Sequence, residues 1–253
     1  MESSNPAPRF PARPPIVPVI DIMGGRVVHA VGGRRSEYRP IESRLTDSDE
    51  PEAVARALVA VTGATWLYVA DLDAIVHRRP DVPSLEAIAR VGLPLMCDGG
   101  VRTPADATAF RGLDVATVVG TETGSLELIS ALGPSQCLLS LDLFDGRFVG
   151  DRARWGLRSP DDPITAASAA IELGVETVLV LDLARVGTGT GFGLTGLVTR
   201  IKSDFPEVHV LAGGGIRGSR EMLALGSAGA DGVLIASALH DGTLIPPRQA
   251  EPW

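Results

Sequence analysis

The chain has 253 residues, 45% of them hydrophobic and 21% charged, which is enough apolar material for one large buried core. A formal net charge of −8 excludes the broad basic face that a nucleic-acid backbone requires, so no nucleic-acid partner is expected. There is no run of about 18 apolar residues, so no membrane span is expected and the cytoplasm is the default compartment. An anionic small substrate stays compatible with this charge, because backbone amides bind phosphate without a basic surface.

From the N-terminus, residues 1–15 are rich in Pro, Ser and Arg and lack an apolar leader segment. They read as a disordered extension. Eight short apolar runs follow: Ile16–Ile22, Trp66–Asp71, Pro94–Asp98, Ala116–Gly120, Cys137–Leu143, Thr177–Asp182, Val208–Gly213 and Gly232–Ser237. Between them lie helix-like stretches, among them Pro51–Val61, Ser84–Val91, Pro163–Leu173 and Ser219–Ala228, with start signals such as Thr103-Pro104 and Ser159-Pro160. Strand and helix in alternation predict a parallel sheet. Eight continuously apolar strands predict a closed α/β barrel, the (β/α)8 or TIM fold, over residues 16–242 with a short tail at 243–253. An open doubly wound sheet would need a Gly-rich turn after its first strand, and Gly24-Gly25 is too weak a match.

Four blocks recur in the same order, roughly 110–120 residues apart. Ile20-Asp21-Ile22 with Arg26-Val27-Val28 matches Leu141-Asp142-Leu143 with Arg147-Phe148-Val149, and the Asp71-Leu72 pair matches Asp182-Leu183. Gly99-Gly100-Val101-Arg102 matches Gly214-Gly215-Ile216-Arg217, and Gly120-Thr121 matches Ala236-Ser237. This pattern predicts a barrel built from two repeated half-barrels.

In such barrels chemistry sits at the C-terminal strand ends. Asp21, Asp71, Asp98, Asp142 and Asp182 all lie there. Asp71, Asp98 and Asp182 read equally as helix caps or ion-pair partners. Asp21 and Asp142 occupy equivalent places in the two halves, so their carboxylates are expected to face each other across the mouth and to act as a general acid and base. Gly99, Gly100, Gly120 and Thr121 form one candidate phosphate cradle, and Gly214, Gly215, Ala236 and Ser237 the other, because glycine lets the backbone approach an anion closely. Two cradles imply a small substrate with a phosphate at each end. The four histidines lack metal-ligand spacing, so no metal is expected. Lys202, the single lysine, falls in a helical, solvent-facing stretch rather than at a strand end, which excludes Schiff-base chemistry. Cys97 and Cys137 lie in apolar strand-like runs and read as buried reduced thiols. Nothing in the pattern fixes an oligomeric state.

From Ile16 to Gly242 these blocks resemble the histidine-biosynthesis (β/α)8-barrel family, which comprises the phosphoribosylformimino-AICAR ribotide isomerase and its cyclase relative. Pro18-Val19-Ile20-Asp21-Ile22 with Gly25-Arg26-Val27-Val28 is more similar to the isomerase. The resemblance implies a cofactor-free Amadori rearrangement in which Asp142 opens the sugar ring as general acid and Asp21 removes the C2 proton. It also implies a phosphate in each cradle, a further ligand contact at Asp182, and an indole, here Trp155, stacked on substrate. Some positions depart from the family pattern. Leu181 stands where a hydroxyl is usual, Val186 where a loop acid is usual, and Ala236-Ser237 where Gly-Arg is usual. The basic loop from Arg34 to Pro40 adds anion contacts or forms a lid. These departures resemble a divergent paralogue, so three readings stand: the isomerase, a paralogue with another phosphorylated substrate such as one from one-carbon-carrier (methanopterin-type) biosynthesis, and a non-catalytic phospholigand-binding barrel.

Overall fold

The computed structural model describes residues 13–159, 162–187 and 193–244. The expectations for residues 1–12, Pro160, Thr188 and 245–253 lie outside the described residues. Eight parallel strands form the barrel: β1 (Ile16–Met23), β2 (Leu67–Asp71), β3 (Leu95–Asp98), β4 (Val115–Gly120), β5 (Cys137–Phe144), β6 (Thr177–Asp182), β7 (His209–Gly213) and β8 (Gly232–Ile235). Each pairs with the next, and β8 closes the ring onto β1 through Ile16–Val233, Val17–Leu234 and Pro18–Ile235. The chain is a (β/α)8 TIM barrel. Pro15 already belongs to it, since its carbonyl accepts the Val233 N–H at 2.9 Å.

Strand alternation splits the apolar residues into two cores. Ile20, Ile22, Leu67, Val69, Leu95, Cys97, Leu139, Leu141, Val178 and Val180 point outward and pack under the helices. Val17, Tyr68, Met96, Val118, Leu138, Leu179, Leu211 and Leu234 point inward and fill the barrel. Helix Pro51–Thr62 shows how the outer layer attaches. Proline opens it, Val54, Ala55 and Leu58 are its buried face, and Gly63 in the left-handed region (φ +62°) ends it.

Both β1 and β5 turn back into a short antiparallel strand, Arg26–His29 and Arg147–Phe148. The turns are Gly24-Gly25 and Asp145-Gly146, with all four residues at positive φ. That is the two-residue hairpin geometry for which Gly-Gly and Asp-Gly are preferred.

Two expectations need correction. The helix expected after Thr103-Pro104 is only a 3-10 turn, Asp106–Phe110, because Asp106 accepts the Arg102 and Thr103 amides and starts the turn late. Lys202 is not turned to solvent. Its ammonium donates to the Pro206 and Val208 carbonyls and to Asp231, so it ties helix Thr195–Asp204 to the start of β7. No helix among the described residues is long and apolar enough to cross a membrane.

Gly150 joins the β5 hairpin to the loop after β4. It has φ +142°, and a Cβ there would collide with the Thr121 carbonyl. Gly150→Ala is therefore expected to destabilise the fold by about 1–3 kcal/mol, a fall of several degrees in thermal melting. An unchanged melting temperature would contradict this packing.

Candidate functional site

One cavity opens at the C-terminal end of the barrel, and its walls include Asp21, Tyr68, Asp98, Gly100, Gly120, Glu122, Asp142, Leu181, Val186, Gly214, Gly215, Arg217, Ala236 and Ser237. Strand parity decides which acids reach it. Asp71 ends β2 on the outward face and Asp182 ends β6 in the same way. Asp71 accepts the Ala74 and Asp81 amides, while Asp182 accepts the Ala184 and Asp145 amides and pairs with Arg185 at 2.8 Å. Both are structural caps, and Asp182 is not part of the cavity wall. Asp21, Asp98 and Asp142 sit on the inward face and converge.

The register explains the convergence. Ala70 on β2 is paired with Asp21 on one side and with Asp98 on the other. Asp142 enters from β5 and is firmly held. The Ser140 hydroxyl donates to its Oδ1 at 2.6 Å, the Glu122 amide to its Oδ2 at 3.3 Å, and its own N–H donates to the Thr121 hydroxyl at 2.9 Å. Asp98 accepts the Gly100 amide at 2.9 Å, and the Tyr68 hydroxyl donates toward its other oxygen over 3.5 Å. Gly120 leaves the space between the acids open. The position of a Cβ there would lie 3.0 Å from Asp142 Oδ2 and 3.7 Å from Asp98 Oδ2.

Burial first, and neighbouring carboxylates second, set the electrostatics of Asp21 and Asp142. Desolvation, and then the charge of Asp98, pushes the Asp21 carboxyl up to about 7. The same two causes push Asp142 up to about 7, against the opposing bonds from Ser140 and the Glu122 amide. Tyr68, buried among all three acids, is held well above the usual phenol range, first by burial and then by Asp98. Near neutral pH the cluster thus holds protons to give and carboxylates to receive them. Among the described residues no group of three or more His, Cys, Asp or Glu is arranged to hold a metal ion.

The remaining expected site residues divide. Gly100, Gly120, Gly214, Gly215, Ala236 and Ser237 line the cavity. Gly99 does not, and the room for its missing side chain is taken by Phe110, 2.5 Å from an ideal Cβ. Thr121 is buried behind Asp142 as its support. Trp155 is corrected. Its indole is fully buried in the outer core and its Nε1–H donates to the Thr121 carbonyl at 3.2 Å, because the 3-10 turn Arg152–Trp155 aims it inward under the loop. In the basic loop, Gly33 and Tyr38 line the cavity. Arg34 pairs with Glu37, and Arg39 donates to the Ser36 and Tyr38 carbonyls. Leu181 and Val186 form an apolar wall. Tyr68, Glu122 and Arg217 were not singled out from sequence. Tyr68 was findable, because counting back by twos from Ala70 marks the inward face of its strand.

Two outcomes follow from this geometry. Asp21 and Asp142 bind protons more tightly folded than unfolded, so stability is fullest below the ordinary carboxylate range near 4. It should fall as pH rises toward 7, then level off. Melting curves between pH 4.5 and 8 check this, and Asp21→Asn or Asp142→Asn should flatten the slope. A wild-type curve rising across that window would contradict it. Separately, Trp155→Phe should lower stability by about 1–3 kcal/mol through the lost indole bond and volume while changing KM less than twofold. A tenfold rise in KM with unchanged melting would place the ring on the ligand.

Comparison with known proteins agrees with this architecture. Residues 15–245 match the family described as Histidine biosynthesis protein. The chain is 33% identical over 236 residues to the 1-(5-phosphoribosyl)-5-((5-phosphoribosylamino)methylideneamino) imidazole-4-carboxamide isomerase of Haloarcula marismortui, covering 90% of this chain and 91% of that one. It is 30% identical over 242 residues to the same-named isomerase of Chloroflexus aggregans, covering 92% and 95%. It is also 30% identical over 232 residues to an uncharacterised protein of Methanocaldococcus jannaschii, covering 90% and 94%. With a match of this extent on a barrel of this topology, the chain belongs to the histidine biosynthesis protein family.

Proposed function

We propose that this protein is a cofactor-free aldose–ketose isomerase acting on a phosphorylated ribosyl-amine. The observation that carries the reading is the pair Asp21 and Asp142, delivered to one cavity from β1 and β5 with both carboxyls pushed up to about 7. Relatives whose printed names describe phosphoribosyl-bearing isomerases support the reaction class.

The chemistry needs one proton given and one taken. Protonated Asp142, fixed by Ser140 and Thr121, donates to the ring oxygen of the aminoaldose, and the ring opens to an iminium at C1. Ionised Asp21 then removes the proton from C2, and the electron pair moves toward nitrogen to give an enolamine. Reprotonation at C1 and loss of the C2 hydroxyl proton yield the aminoketose. Atoms and electrons are conserved, so no redox partner is required. The substrate phosphate rests against Gly214, Gly215, Ser237 and Arg217.

Leu181 and Val186 favour a second reading, a divergent paralogue with another phosphorylated substrate. Both line the cavity where the family usually has a hydroxyl and a carboxylate, so a polar contact to the relatives' substrate is missing on that wall.

The test is turnover of a panel of N-substituted 5-phosphoribosylamines, followed by proton NMR in D2O, which also reports exchange at C2. Wild type should convert at least one member. Asp21→Asn and Asp142→Asn should each lose roughly 10²- to 10⁴-fold in rate. Because one acid must be protonated and the other ionised, the rate should peak near neutral pH and fall on both sides. Binding of the panel without turnover, or undiminished rates in both Asp variants, would replace the enzyme with a phospholigand-binding barrel.

A further inference from the structure

The hairpin strands after β1 and β5 each meet a hydroxyl residue from the strand that precedes them around the barrel, and the two meetings differ. Arg26-Val27-Val28 matches Arg147-Phe148-Val149, so His29 is the counterpart of Gly150, as Ser237 is of Thr121. Gly150 packs so closely on the Thr121 carbonyl that a Cβ would collide with it, whereas His29 reaches Ser237 with its ring, Nε2 lying 3.0 Å from Oγ. The two hydroxyls then serve different ends. That of Thr121 is buried and accepts the Asp142 N–H at 2.9 Å. Ser237 is half-buried, lines the cavity with Gly214, Gly215 and Arg217, and bonds the imidazole instead.

What Ser237 faces decides the direction of that bond. A serine hydroxyl has a single hydrogen to give, and a phosphate dianion offers acceptors only. If the hydrogen goes to the phosphate, the imidazole must be the donor to Oγ. With the roles reversed, Ser237 would turn a lone pair toward the anion. The backbone holds His29 in place for this. It ends the short strand Arg26–His29, which pairs with β1 through Val28 and Asp21 and faces Arg39 on its other edge. The imidazole at the far end of helix Ser237–His240 is occupied elsewhere. His240 Nδ1 lies 2.9 Å from the Ser43 hydroxyl oxygen, and burial first, then the charge of His29, pushes the ring down to about 4. Positive charge reaches this wall from two arginines. Against burial, the Thr243 hydroxyl and amide and then Arg217 and Arg44 hold the Asp241 carboxyl below the ordinary carboxylate range.

We propose that His29 is a positioning residue for the substrate phosphate: its Nε2–H donates to Ser237 and turns the Ser237 hydroxyl hydrogen toward a phosphate seated against Gly214, Gly215 and Arg217. The inference rests on the phosphate placement of the isomerase reading and adds to it a residue outside the cavity wall.

The experiment is calorimetric titration of the full chain with inorganic phosphate at pH 7.5, in wild type, His29→Leu, His29→Gln, Ser237→Ala and the double variant of His29→Leu with Ser237→Ala. His29→Leu and Ser237→Ala should each weaken phosphate about tenfold, and the double variant should be no weaker than either alone, because both remove the same hydrogen bond. His29→Gln should stay within about threefold of wild type, since its amide N–H donates from the position of Nε2. If the leucine variant does not fold, His29→Asn, too short to reach Ser237, takes its place. In turnover of a phosphoribosylamine the loss should appear in KM rather than in kcat. Undiminished binding in His29→Leu, losses that multiply in the double variant, or a glutamine variant as weak as the leucine one would overturn the role. Wild type that binds no phosphate would overturn it too, with the isomerase still judged by turnover. Coupled losses in a chain that converts no phosphoribosylamine would keep the role of His29 and remove the isomerase.

Discussion

Everything at the mouth of this barrel follows from placing three carboxylates, Asp21, Asp98 and Asp142, on the inward face of a ring of apolar strands. Withdrawing a carboxylate from water is expensive, and like charges at close range increase the expense. The cluster responds by holding protons that isolated carboxyls would have lost well below neutrality. On the proposed mechanism, which needs one acid and one base at the same pH, both come from a single physical constraint.

The scaffold's contribution is to stop the acids from relaxing out of that arrangement. Asp142 is gripped through both carboxylate oxygens and its backbone N–H, and the Thr121 that grips it is itself held from behind by the Trp155 indole. A core residue is thereby connected to Asp142 through two hydrogen bonds. Asp21 is fixed differently, by strand pairing on both sides, to Val28 of the hairpin and to Ala70 of β2. The hairpins after β1 and β5 brace the ends of the two strands that carry Asp21 and Asp142. Side chains on braced strands keep their geometry better than side chains on loops.

Much of the fold was legible because alternating strand and helix patterns leave few architectures open. All eight predicted strands overlap observed ones, with ends shifted by a residue or two, as in β3, which starts at Leu95 rather than Pro94. Legibility failed where a position depends on which way a side chain points. Asp71, Asp98 and Asp182 look alike as strand-end acids, and only period-two alternation separates the inward Asp98 from the two outward caps. Trp155 was misplaced because a resemblance supplies a residue type and not an orientation, and the turn carrying it faces the core. Lys202 was misjudged because its reach to Asp231 and the Pro206 and Val208 carbonyls depends on the loop leading into β7, which helical periodicity does not encode.

The most direct measurement is a carbon-13 NMR titration of the aspartate carboxyl carbons, with Asp21 and Asp142 assigned through their Asn variants. Both resonances are expected to titrate near neutral pH and to shift to lower pH in Asp98→Asn, since the Asp98 charge raises each carboxyl. Two carboxyls that titrate near 4 and ignore the loss of Asp98 would mean that the acids neither share a dry cavity nor sense one another.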